Sequence, residues 1–222
     1  CFVGVAVKEL PPLTVVLARV VLATMILLPL FWFYGHKLPN SAKEWFPFVV
    51  MGLLNNVIPF CFLFVAQTFI TVGLTSIINA MTPLCTVIVM AAFAEEKLTV
   101  NRVSGVVLGG LGVAVLRGIE EPLDGPQTIG IGLGLVATLS FGFTALWGRR
   151  HLGGVAPLKS ATCQILCSSV VMLIVAGIFD QPWTLDAPSP KVWFSLIGLA
   201  FFGTAIAYIV FFQILVRAGA SN

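Results

Sequence analysis

NAMTPLCTVIVMAAFAEEKLTVNRVSGVVLGGLGVAVL, residues 79–116, is the stretch whose reading decides the fold. An apolar run carrying Pro83 ends in the charged step Glu95-Glu96-Lys97-Leu98, and a second apolar run follows at once, threaded with Gly105, Gly109, Gly110 and Gly112. Two unbroken apolar runs joined by a short charged step read as two helices that cross a bilayer, with the charges held at its face.

The surrounding chain repeats that pattern. It is 59% hydrophobic and 9% charged, with a mean hydropathy of +1.05. Soluble domains carry roughly 25% charged residues, so a water-soluble globule is excluded. A helix needs about 20 residues to cross a hydrocarbon core of ~30 Å. Seven runs are full candidates, at 13–34, 46–68, 73–94, 102–117, 128–148, 159–179 and 192–216, and Cys1 to Val7 reads as the tail of an eighth. Backbone in lipid must satisfy its own hydrogen bonds, so these runs are helices. They are continuous and do not alternate apolar with polar, which excludes a β-barrel.

No basic region or small-residue cleavage site precedes the first run. The chain opens on Cys1 inside what reads as a helix and stops at Ala220-Ser221-Asn222, so it is expected to be a fragment of a longer membrane protein.

Loop charges set the orientation. One set of connections holds Lys37, Lys43, Lys97, Arg102, Arg149, Arg150, Lys159 and Arg217, and the other holds Lys8, Arg117 and Lys191. Eight cations against three make the first set cytoplasmic. The acids Glu9, Glu120, Glu121, Asp124, Asp180 and Asp186 then lie outside. A net charge of +3 is accordingly a topology signal and no nucleic-acid footprint.

The five cysteines, at 1, 61, 85, 163 and 167, all fall in apolar runs. Cys163 and Cys167 share a helix face, but no histidine lies in any run to complete a metal site. They read as small packing residues, and neither metal nor cofactor is expected.

The chain also resembles itself. Pro12-Leu13-Thr14 recurs as Pro157-Leu158-Lys159, Arg19 aligns with Gln164, Gly52 with Gly198, Gln67 with Gln213, Gly73 with Gly219 and Thr75 with Ser221, at an offset of 145 or 146 residues. The acidic, proline-bearing loop between the copies is a natural linker. The expected organisation is a first repeat at 1–117, a connecting loop at 118–127 and a second repeat at 128–222. The first repeat holds the clipped helix and four full ones, and an odd number inserts the second copy upside down. Inverted repeats of this kind are a recurrent transporter architecture, with the solute site near the midplane. Ten helices are expected when complete, the last two following Asn222.

On these residues the chain resembles the EamA family of the drug/metabolite transporter superfamily, over essentially its whole length as two repeats. Gly73, Pro83, Glu96, Leu98, Gly105 and Gly112 carry the match in the first repeat, with Arg19 near the start of the second helix. Gly203-Thr204-Ala205-Ile206-Ala207-Tyr208 and Ala218-Gly219-Ala220-Ser221 carry it in the second. Glu95 stands where that family usually has glycine. The resemblance implies an all-α integral membrane protein of two inverted five-helix repeats that exports amino acids or related metabolites. The plasma membrane, the inner membrane of a bacterium, is the expected location, with the bilayer and a small-molecule solute as partners.

Ionisable and polar side chains in membrane helices are costly and are functional candidates. Arg19 is the one charge well inside an expected span. Its guanidinium suits a carboxylate or phosphate, or it snorkels to the outer headgroups. Asn55, Asn56, Gln67, Asn79, Gln164, Tyr208 and Gln213 are the other candidates for a solute site. Amides of this kind also serve as glue between helices. Pro83 removes a helical hydrogen bond and is a candidate gating hinge or a tolerated bend. Gly105 with Gly109, and Gly130 with Gly134, are spaced for close helix packing within a repeat or between two protomers. Glu96 reads as a membrane boundary rather than a proton relay. A non-transporting scaffold would leave the polar residues without a common cavity. An intramembrane enzyme would need a dyad or metal cluster, and His36 and His151 lie in loops away from any nucleophile.

Overall fold

The computed structural model describes Ala6 and residues 9–93, 104–105, 108, 112, 125–185, 188–201 and 203. Those residues are helical or connecting, with no strand among them. Five helices are long and apolar enough to cross a membrane: α1 (Pro12–Phe33), α2 (Ala42–Ala66), the broken span Val72–Ala92, α5 (Gly125–His151) and α6 (Pro157–Phe179). Each matches an expected run to within a few residues. A shorter apolar helix, α7 (Pro190–Ala200), opens the last expected run. Most of 102–117 and 192–216 lies outside the described residues, as do Gly109, Glu96, Tyr208 and Gln213.

Proline sets the starts. Pro12, Pro157 and Pro190 each open a helix at the first position, where the missing N–H would have had no partner and φ is already helical. A side-chain cap starts α2: the Ser41 hydroxyl oxygen accepts the Glu44 N–H at 3.3 Å, and Glu44 Oε2 reaches back to accept the Asn40 N–H, one residue ahead of the cap, at 3.2 Å. The end of α1 is a left-handed turn at Gly35, φ 71°. There the N–H groups of Gly35 and His36 return to the carbonyls of Trp32 and Phe31 at 2.9 and 3.1 Å. This is the Schellman arrangement that glycine permits. Trp32, Phe33 and Tyr34 stay exposed at that end, as an interfacial belt requires.

Two helices are irregular, for local reasons. The span Val72–Ala92 is two pieces, α3 (Val72–Asn79) and α4 (Thr82–Ala92), separated at Ala80–Met81. Pro83 therefore stands in the first turn of α4 rather than inside a continuous helix. The Thr82 hydroxyl caps the break by donating to the Asn79 carbonyl at 2.6 Å. Within α2, Leu53–Val57 widens into a π-turn. Pro59 lies just beyond, with no N–H to offer and a ring that crowds the preceding turn; widening the ladder relieves that crowding.

By packing, the chain divides into two units, Cys1–Val57 with Gly154–Asn222, and Ile58–Gly153. The division cuts across the two sequence copies. In the first unit α6 packs along α1 and against the start of α2, and α7 packs on α1. The buried stripe of α1, Val16, Val20, Ala23, Leu27 and Phe31, faces these neighbours at helical spacing. In the second unit α5 is central, touching Ile58–Ala66, α3 and α4. Its buried residues Gly130, Gly134, Thr138 and Gly142 recur every fourth position. A Cβ on Gly130 would lie 2.8 Å from Ile70 Cγ2, one on Gly134 2.9 Å from Ile78 Cγ2, and one on Gly142 3.0 Å from the Cys85 carbonyl. Lipid offers helices little hydrophobic incentive to associate, so close approach at small residues supplies the attraction. Among the described residues a Cβ on Gly105 would meet nothing within 4 Å.

Candidate functional site

The first unit gathers polar groups where α1, α2 and α6 meet. Helices α1 and α6 are antiparallel. Asp180, just past the end of α6, accepts the Thr14 N–H at 2.7 Å and the Thr14 hydroxyl at 3.0 Å. Its carboxylate thus caps the N-terminus of α1, where both an open N–H and the helix dipole favour an anion. Deeper in, the hydroxyls of Thr24 and Ser169 are 2.9 Å apart. At the same end of α1 Glu9 accepts the Ser189 N–H at 3.0 Å and the Ser189 hydroxyl at 2.8 Å, securing the start of α7. The Ser189 backbone and hydroxyl bonds, helped by Lys191, hold the Glu9 carboxyl below the usual glutamate range.

Beyond Ser169, the π-turn of α2 meets α6. Asn55 Nδ2 donates to Gln164 Oε1 at 3.2 Å, and Asn56 Nδ2 donates to Ser168 Oγ at 3.2 Å. The Ser168 hydroxyl donates to the carbonyls of Gln164 at 2.7 Å and Gly52 at 3.2 Å. Asn56, Gln164 and Ser168 are buried and Asn55 is half-buried. In a regular helix successive side chains diverge by about 100°; the wider π-turn narrows that angle, so both consecutive amides reach one partner helix. Gly52 makes the approach fit, because a Cβ there would lie 2.7 Å from the Gln164 carbonyl oxygen and 2.9 Å from Ser168 Oγ.

The expected site residues therefore fall into separate groups. Asn55, Asn56 and Gln164 come together. Arg19, half-buried on α1, does not join them. The Thr14–Asp180 and Thr24–Ser169 contacts fix the α1/α6 register, and at 1.5 Å per residue Arg19 stands about 15 Å from Gln164 along the helix axes. Arg19 instead approaches the segment after α7, where a Cβ on Gly203 would be 3.9 Å from its Nη2. In the second unit, Asn79 is exposed at the end of α3. Gln67 follows α2, and its Oε1 is buried without a hydrogen-bond partner among the described residues. In the first unit the Thr162 hydroxyl is likewise buried without a partner among the described residues. Sequence reasoning had passed over Ser168 and Gly142, and had read Gly52 only as a position shared by the two copies. Gly142 was signalled by continuing the four-residue spacing of Gly130 and Gly134.

The C-terminal end of α5 carries Arg149, Arg150 and His151. Arg150 lies over the Phe93 ring, 5.6 Å from its centroid, and its Nη2 reaches the Phe93 carbonyl at 3.5 Å. A cation at the last carbonyls of a helix is favourable. Among the described residues no group of His, Cys, Asp or Glu is placed to hold a metal ion.

Long apolar helices with loop cations and a hydrogen-bonded interior seam define a multi-pass α-helical membrane protein. The chain belongs to the EamA-like transporter family, whose model matches residues 1–118 and 128–222. Relatives include the uncharacterized transporters YoaV and YyaM of Bacillus subtilis, each 23% identical, over 98% and 90% of this chain. The uncharacterized inner membrane transporter YedA of Escherichia coli is 26% identical over 92% of it. The chain spans 75%, 67% and 65% of the lengths of these three relatives. A solved crystal structure superposes with a TM-score of 0.69 over 93% of this chain and 70% of its own, at 15% identity, a likeness of fold alone. This kinship indicates a membrane transporter rather than an enzyme.

Proposed function

We propose that the protein carries small organic solutes across the plasma membrane, the inner membrane of a bacterium, by alternating access between two inverted five-helix repeats, 1–117 and 128–222. Export of amino acids or related metabolites is the case that the resemblance in sequence motifs implies. The observation that carries the reading is the run of uncharged hydrogen-bonding groups at membrane depth on α6 and the helices beside it: Thr24 with Ser169, Asn56 with Ser168, and Asn55 with Gln164. Such groups are expensive in a lipid-exposed helix and belong to an interior that handles polar cargo.

Within that seam the roles divide by burial. Asn56 and Ser168 are the structural clamp. Asn55 and Gln164 share a single bond with a half-buried member, and are the pair a solute would compete for. Separately, in the second unit, Gln67 Oε1 is buried without a partner among the described residues, a condition that costs about 1–3 kcal/mol; it is a further group that a polar solute would satisfy. Arg19, at a shallower level, meets the carboxylate or phosphate of a solute on its way. Close-packing glycines leave a homodimer open as a further partner.

The test is flux. The full-length protein, reconstituted in liposomes, should move one or more of a panel of amino acids, purines and amphipathic cations in a saturable way. Folded protein with no substrate-dependent flux in either direction would sink the reading.

A further inference from the structure

Helix α2 is held by different partners on either side of its π-turn. Ahead of the turn, Gly52 is seated against α6, where a Cβ would be 2.7 Å from the Gln164 carbonyl, and the Gly52 carbonyl accepts the Ser168 hydroxyl at 3.2 Å. Past the turn, the Phe60 ring meets Phe141 of α5 at 6.5 Å between centroids. The Ala66 carbonyl is 3.3 Å from where a Cβ on Gly130 would sit. Each part is thus clamped by backbone-close contact to its own neighbour. Between the clamps lie Leu53–Val57, whose hydrogen bonds have the poorer π geometry, and Pro59, which contributes no N–H.

We propose that Leu53–Val57 is a hinge at which α2 bends. Neither clamped part has slack to absorb a change of direction, because its close contacts are to backbone and ring. The turn does have slack, since its ladder is already short of a donor. Sharp bends in helices concentrate at such places. The bend is coupled to the seam because Asn55 and Asn56 sit on the turn itself. Their bonds to Gln164 and Ser168, both 3.2 Å, lie at the long limit for N–H···O. Bending makes and breaks them, so the straightness of α2 decides whether the Gln164 amide is engaged or released. Pro83, the proline that sequence singled out, stands instead in the first turn of α4.

The inference concerns α2 and needs no known solute. Spin labels at Lys43→Cys and Thr68→Cys, in protein freed of its native cysteines and held in lipid nanodiscs, report the end-to-end distance of α2 by pulsed electron resonance. The expected wild-type distribution is broad or two-peaked. Pro59→Ala, which restores the N–H, is expected to collapse it to one narrow peak. Asn56→Leu, which removes a bond of the observed conformer, is expected to shift the populations away from it by about threefold. A single narrow wild-type peak overturns the hinge whether or not Pro59→Ala folds, and so does a distribution that Asn56→Leu leaves unmoved. Liposome flux measured on the same preparation separates the two readings: a rigid α2 with intact flux overturns the hinge and leaves transport standing.

Discussion

Replacing Gly52 by alanine adds one methyl group at the tightest point of the α2–α6 contact. That Cβ would sit 2.7 Å from the Gln164 carbonyl oxygen, against an ordinary contact limit of 3.4 Å, and 2.9 Å from Ser168 Oγ. The first obstacle is backbone on backbone, so no rotamer change relieves it, and α6 must back away by several tenths of an ångström. The Asn56–Ser168 and Ser168–Gly52 bonds, each already 3.2 Å, then stretch beyond hydrogen-bonding range. Overpacking costs about 1–3 kcal/mol, and two interhelical bonds in a membrane protein add about 0.6 kcal/mol each. The better helix propensity of alanine returns up to about 1 kcal/mol. The net expectation is a loss of roughly 1–3 kcal/mol. The assay is unfolding in mixed micelles of rising SDS fraction, followed by tryptophan fluorescence, with Gly132→Ala as control, because a Cβ there meets nothing within 4 Å. Ser168→Gly in the Gly52→Ala background removes the 2.9 Å contact together with the Ser168 hydroxyl bonds, leaves the 2.7 Å backbone obstacle, and should recover no stability. A Gly52→Ala protein as stable as wild type would refute the packing argument.

Further outcomes follow from the same geometry. Asp180→Ala strips the cap from α1 and should cost about 0.5–2 kcal/mol in the same unfolding assay; no change would mean that water caps Thr14 equally well. Gly142→Ala, aimed at the Cys85 carbonyl at 3.0 Å, should destabilise more than Gly134→Ala, whose obstacle is the Ile78 side chain; the reverse order would contradict the packing of α5. The Glu9 carboxyl titrates below the usual glutamate range, so its hold on Ser189 is complete above that range and is lost as pH falls through the lowered value. Hydrogen exchange at the start of α7, corrected for intrinsic rate, should quicken there in wild type, while Glu9→Gln should show no such acid step. In full-length protein, Arg19→Lys should raise the apparent KM for an anionic solute, because lysine cannot form the bidentate pair; unchanged kinetics would assign Arg19 to a structural role.

Much of the fold was legible in sequence because membrane insertion is decided locally. A run of about 20 apolar residues forms a helix in lipid whatever its neighbours, and Pro12, Pro157 and Pro190 mark helix starts by their own chemistry. Gly130 and Gly134 were readable by spacing. The π-turn was not, since nothing in Leu53–Val57 demands it without the clash at Pro59 and the pull of α6 on two consecutive asparagines. Partner choice was equally hidden. Asp180 caps α1 through Thr14, 166 residues before it, and Glu9 secures α7 through Ser189, 180 residues after it; hydropathy carries no information across that distance.

By itself the sequence determined that this is a multi-pass helical membrane protein with cations on one face, because those properties are sums over neighbouring residues. Its motifs also pointed to the family. Only the tertiary structure decided which polar residues meet. It joined Asn55 and Asn56 to Gln164 and Ser168, and set Arg19 about 15 Å away along the helix axes. It also showed a second irregular stretch, Leu53–Val57, besides the break that precedes Pro83. The physical reason is register: one residue of helical phase turns a side chain by about 100°, and phase between helices is settled by close packing at positions such as Gly52, which no reading of a single helix contains.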